Sequence, residues 1–169
     1  MTRLLAATVF FLASSASAVA PSPLGVLRGA GMVSSAHFEY AHATYNVWNL
    51  KGTFNGRAVF GNDARTQAQV EQLRTFQLSV SVPRSQLFTA GQVNQLNRAA
   101  TLLAAECLGV RLDGLDGLLN SALRARAWPA EIRGTFSTVR LDVLDGRYEL
   151  SVSMDLPAGR AAQCRMPRP

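Results

Sequence analysis

The chain has 169 residues, 48% of them hydrophobic and 17% charged, with 13 glycines and only two cysteines. That composition excludes a disordered chain and a small disulfide-dense scaffold. The formal net charge of +6 points toward anionic partners, or toward nothing more than a soluble surface, because the arginines are scattered and Lys51 is the only lysine.

The N-terminus reads as a cleavable export signal over residues 1 to 18. Arg3 gives a positive start, Leu4 to Leu12 is an apolar run, and Ala16-Ser17-Ala18 fits the small-x-small rule for cleavage. Ala18-Val19-Ala20 also fits, but Pro21 would then follow the cut and hinder the peptidase, so cleavage after Ala18 is expected. The apolar run is shorter than the roughly 20 residues that span a bilayer. No cysteine near the cut offers a lipid anchor, so a soluble periplasmic or extracellular protein is expected. What remains is about 150 residues, enough for a single core. Residues 19 to 35 are rich in Pro, Gly and small side chains and read as a flexible lead-in. Residues 36 to 169 then form one domain.

In an oxidising compartment Cys107 and Cys164 are expected to pair and tie the C-terminal tail to the body. Closing that loop of about 58 residues is worth about 4 kcal/mol in the chain-entropy model.

Ala36 to Phe60 reads as strand, with Trp48, Leu50 and Phe54 alternating with polar residues. Asn55-Gly56 is a hairpin signal, because both residues tolerate the positive φ of a type I′ turn. Asn62 or Asp63 can cap a mostly polar helix over Ala64 to Arg74, with Val70 and Leu73 inward. Phe76, Leu78, Val80 and Val82 alternate with Gln77, Ser79 and Ser81, which marks a half-buried strand that Pro83 ends. Thr89 and Gln92 form a capping box at the head of a long helix. Val93, Leu96, Ala100, Leu103 and Cys107 make its apolar stripe, and Gly109 supplies a left-handed cap.

Asp113 to Ala127 predicts a third helix, stopped by Pro129. Thr135 to Val143 follows as a strand in which Phe136 is out of phase, suggesting a bulge. Asp145-Gly146 is a second type I′ signal, and Tyr148 to Leu156 alternates cleanly. The sum is an α+β domain: a curved antiparallel sheet or partial β-barrel of five or six strands, with two to three helices packed on one face.

Catalytic signatures are missing from the sequence. There is no G-x-S-x-G elbow, no Gly-rich phosphate loop and no basic stretch interleaved with aromatics, so catalysis and nucleic-acid binding are not expected. The two histidines are His37 and His42; His37 and Glu39 share a strand face, but two ligands do not close a metal site. No cofactor is implied. The large apolar side chains on strands suggest a pocket for a hydrophobic or amphiphilic small molecule, lined by Tyr40, His42, Trp48, Leu50, Phe54, Phe60 and Met154, with His42 as its polar handle. The alternative is a cell-envelope interaction module contacting acidic polymers or a protein partner. Neither calls for stable membrane insertion, and oligomeric state is not legible.

Several stretches resemble a known family: Gly52 to Phe60 (GTFNGRAVF), Phe76 to Leu87 (FQLSVSVPRSQL), Trp128 to Val139 (WPAEIRGTFSTV) and Asp145-Gly146-Arg147-Tyr148. Their order and flavour are similar to the YceI-like periplasmic proteins. That resemblance implies a lipocalin-like antiparallel barrel holding a lipid or isoprenoid, with His42 where the family often has an early histidine. The Leu-rich segment from Leu112 to Ala127 and the early chain end depart from the family pattern.

Overall fold

The computed structural model describes residues 20–62, 71–125 and 128–169. The export signal expected over residues 1 to 18 and most of the helix expected over Ala64 to Arg74 lie outside these. The last residues of that span are not helical: Gln72 forms a β-bridge with Arg165, and Leu73 is fully buried.

The first element is a helix, α1 (Pro23–Gly29), where the composition suggested a lead-in. Ser22 caps it by accepting a bond from the Gly25 N–H, and Pro23 occupies the first turn, where its missing N–H costs nothing. Leu24 and Leu27 are buried beneath it, which ties the segment down.

Four strands follow: β1 (Ser35–His42), β2 (Tyr45–Lys51), β3 (Gly56–Gly61) and β4 (Thr75–Pro83). Helices α2 (Ala90–Leu108) and α3 (Leu115–Leu123) come next, then β5 (Ala130–Arg133), β6 (Thr138–Leu144) and β7 (Arg147–Asp155). The strands make one open antiparallel sheet in the order β1-β2-β3-β4-β7-β6-β5, not closed into a barrel. The α+β class with helices on one face therefore holds, with seven strands in the sheet among the described residues. The additional strand is β5, whose hairpin with β6 also explains Phe136: it lies in the connection, not in a bulge, with the Gly134 N–H bonded to the Ser137 carbonyl at 2.7 Å.

Local signals behave unevenly. Thr89 and Gln92 form both bonds of the capping box, and Gly109 ends α2 at φ 63°. Asp145 and Gly146 take φ 49° and 73° as the two-residue turn between β6 and β7. At Asn55-Gly56 the hairpin is present, but its loop is wider. It runs over Gly52 to Asn55, where the Asn55 side chain bonds both the N–H and the carbonyl of Gly52. α3 is shorter than the expected Asp113 to Ala127.

The core lies between the sheet and the three helices. Alternate strand residues face it: Phe76, Leu78 and Val80 from β4, Leu150, Val152 and Met154 from β7, Val139 and Leu141 from β6. Leu96, Leu103, Leu108 and Leu119 fill it from α2 and α3. Cys107 and Cys164 form the expected disulfide, with Cα atoms 4.7 Å apart. Around it the tail is laced to distant backbone: Gln163 N–H to the Cys107 carbonyl, Leu73 N–H to the Cys164 carbonyl, Met166 N–H to the Glu71 carbonyl, and Arg165 N–H to the Pro21 carbonyl.

Candidate functional site

The seven side chains expected to line a pocket do not converge on one space. Trp48, Leu50, Phe54, Phe60 and Met154 are buried in the common core. Tyr40 and His42 are exposed, and they face the other side of the sheet. The cause is a β-bulge. Phe38 lies opposite Trp48 on the core face, but the register slips between Phe38 and Tyr40, so Tyr40 lies opposite Val47 and His42 opposite Tyr45. One extra residue turns both side chains over. There His42 stacks on Tyr45 at 5.2 Å, and Tyr40 meets Tyr45 edge-on at 6.4 Å.

The face of the sheet away from the helices is polar, and one rung of it crosses all seven strands. His37 pairs with Asn49, Asn49 with Arg57, Arg57 with Ser79, Ser79 with Ser151, Ser151 with Arg140, and Arg140 with Glu131. At about 4.8 Å per strand, this row spans about 29 Å. Two clefts of about 530 and 370 Å³ lie along it and share Glu149 as a lining residue. Ser79 and Ser151 form a low floor at the centre and are almost wholly covered, at 5% and 6% exposure.

Arg57 and Arg140 stand on either side of that floor, about 14 Å apart by strand spacing. Each is held by a carboxylate. The Arg57 Nε–H donates to Glu39 at 2.9 Å, and its Nη2 donates to the Tyr40 hydroxyl at 3.3 Å. Arg140 Nη2 donates to Asp142 at 2.7 Å. Glu39 is the residue that the bulge leaves between Phe38 and Tyr40, and it also accepts from Asn49 at 2.7 Å. Partial burial works against the Arg57 charge, but the hydrogen bonds and charges of Glu39 and Tyr40 together outweigh it, so the guanidinium pKa lies above its ordinary value. A guanidinium has five N–H donors, so these bonds orient each arginine and leave donors over for a ligand.

No family model matches the chain. Neither curated proteins nor solved structures provide a match. Among the described residues no group of three His, Cys, Asp or Glu is placed to hold a metal ion, and no helix is long and apolar enough to cross a membrane.

The polar rung was not singled out in the sequence. Its signal was the polar half of each alternating strand, in Gln77-x-Ser79-x-Ser81 and Glu149-x-Ser151-x-Ser153. Alternation says which residues leave the core; only the register brings Arg57, Ser79, Ser151 and Arg140 into one line.

Proposed function

We propose that the protein is an exported, non-enzymatic interaction module of the cell envelope that holds an acidic polymer across the open face of its sheet. The observation that carries this reading is the continuous polar rung from His37 to Glu131, with clefts along it. A row of about 29 Å crossing every strand suits an extended chain better than a compact metabolite. Two oriented arginines flanking a serine floor suit repeated negative groups, since guanidinium recognises carboxylate and phosphate in a fixed geometry. The net charge of +6 favours the encounter. The export signal read from Arg3 to Ala18 and the disulfide support an envelope location.

Binding of the purified protein to polygalacturonate, with neutral dextran as control, tests the proposal. Affinity should fall about tenfold or more between low and physiological salt, and Arg57→Gln or Arg140→Gln should weaken it at low salt. Equal binding to dextran, salt-insensitive binding, or no binding would overturn it.

A second reading keeps an amphiphile as ligand. Met154 lines a cleft of about 410 Å³ at one end of the sheet, together with the exposed Phe136, the half-buried Pro157 and the buried Leu156. This cleft is not the enclosed pocket expected from the sequence and its lining is mixed, but Phe136, Met154, Leu156 and Pro157 give it an apolar side for part of a lipid or isoprenoid chain. Native mass spectrometry decides: no co-purified lipid and no uptake of a prenyl alcohol would remove this reading.

A further inference from the structure

One end of the sheet carries exposed apolar side chains outside the core. There β4 ends at Pro83, β6 ends at Leu144 and β7 begins at Arg147, with Arg147 opposite both Pro83 and Leu144. The link to α2 leaves from this end through a turn in which the Gln86 N–H bonds the Pro83 carbonyl at 2.9 Å. Leu87, next in the chain, is 86% exposed. Leu144 is 49% exposed, and Trp128, just ahead of β5, is 45% exposed. Trp128 does not hang loose: its ring stacks on Tyr148 at 4.9 Å.

A single exposed leucine needs no explanation. Two large apolar side chains on separate segments at one end of the fold, Leu87 and Trp128, with Leu144 at the adjoining end of the rung's smaller cleft, do. The charges at this end narrow the choice. Lys51 ends β2, Arg84 follows β4, Arg124 ends α3 and Arg147 begins β7, while Asp145 is the acid in the β6–β7 turn. An acidic polymer would meet the basic groups but offers nothing to Leu87 and Trp128. A lipid surface offers both an apolar layer and anionic headgroups. Tryptophan has an apolar body and a polar N–H, which suits the boundary between the two.

We infer that this end is a peripheral docking surface for an anionic bilayer. Leu87 and Trp128 enter the headgroup boundary, and Arg84 and Arg124 meet lipid phosphates. Leu87, Trp128, Arg84 and Arg124 line neither cleft of the polar rung, so the two proposals stand or fall separately.

The test is co-sedimentation of the exported chain with vesicles of phosphatidylcholine alone or mixed with phosphatidylglycerol. Binding should require phosphatidylglycerol and should shift Trp128 fluorescence to shorter wavelength, since the other tryptophan, Trp48, is already buried. Arg84→Gln should weaken vesicle binding about fivefold, the worth of one basic residue near an anionic surface. Leu87→Ser should abolish the fluorescence shift; at 86% exposure the change leaves the fold intact. Arg57→Gln, on the rung, should leave vesicle binding unchanged. No binding to either vesicle, equal binding to both, or indifference to Leu87→Ser and Arg84→Gln would overturn the inference.

Discussion

Cys107 and Cys164 join the buried end of α2 to the C-terminal tail, and neither is more than 2% exposed. The disulfide sits at the centre of a set of backbone bonds that hold residues 163 to 166 against Cys107, Leu73, Glu71 and Pro21. Replacing both cysteines by serine should lower unfolding free energy by about 3 to 4 kcal/mol, read from the urea midpoint. The N–H groups of Gln163 and Met166 should lose hydrogen-exchange protection in the same variant. Unchanged protection would mean that the backbone bonds hold the tail without the disulfide.

The Thr89 capping box and the Asp145-Gly146 turn were legible because each depends on chemistry within a few residues, and the cysteine pairing because the N-terminus led us to expect an oxidising compartment. Other features depended on distant parts of the chain. α1 forms in a Pro- and Gly-containing stretch because the core accepts Leu24 and Leu27. Tyr40 and His42 left their expected face because of one bulge, which no local pattern announces. The large strand side chains suggested a pocket, but periodicity reports only that a residue turns inward. Whether the inside is hollow depends on how α2 and α3 fill it, and Leu96, Leu103 and Leu119 do so. The polar rung needed the register of six strand pairs at once.

Asn46 is a buried polar residue on the core side of β2 and serves two partners. Its Nδ2 donates to the Pro167 carbonyl at 2.7 Å, and its Oδ1 accepts from the Trp48 indole N–H at 3.1 Å. Asn46→Leu should cost about 2 to 3 kcal/mol, because it leaves a buried donor and a buried acceptor without partners. Trp48→Phe removes the orphaned donor. The double variant should therefore be more stable than the sum of the singles predicts, by about 1 kcal/mol. Simple additivity in urea titrations would show that the indole bond contributes little.

At the head of α2, the Thr89 hydroxyl accepts from the Gln92 N–H at 3.2 Å, and the Gln92 side chain accepts from the Thr89 N–H at 2.9 Å. Thr89→Ala removes the first of these and should cost about 1 kcal/mol, whereas Thr89→Ser should be close to neutral. Thermal midpoints of the two variants give the comparison.

Gly56 is required by space rather than by backbone conformation. It opens β3, and a Cβ at this position would collide with the Ser79 carbonyl oxygen and lie 2.8 Å from Cζ of Phe54. The first obstacle is backbone in the neighbouring strand, so it cannot rotate away; the second ring is fully buried. Gly146 is the contrast, because its Cβ would meet nothing within 4 Å and the only penalty is its φ of 73°. Gly146→Ala should therefore cost about 1 kcal/mol, and Gly56→Ala about 3 kcal/mol or more. The second change should also reach the polar rung, since Arg57 follows Gly56 directly and pairs with Ser79. Polygalacturonate binding should weaken in Gly56→Ala and stay unchanged in Gly146→Ala, measured where both variants remain folded. Equal binding by the two would show that the spacing of β3 and β4 does not set the position of Arg57.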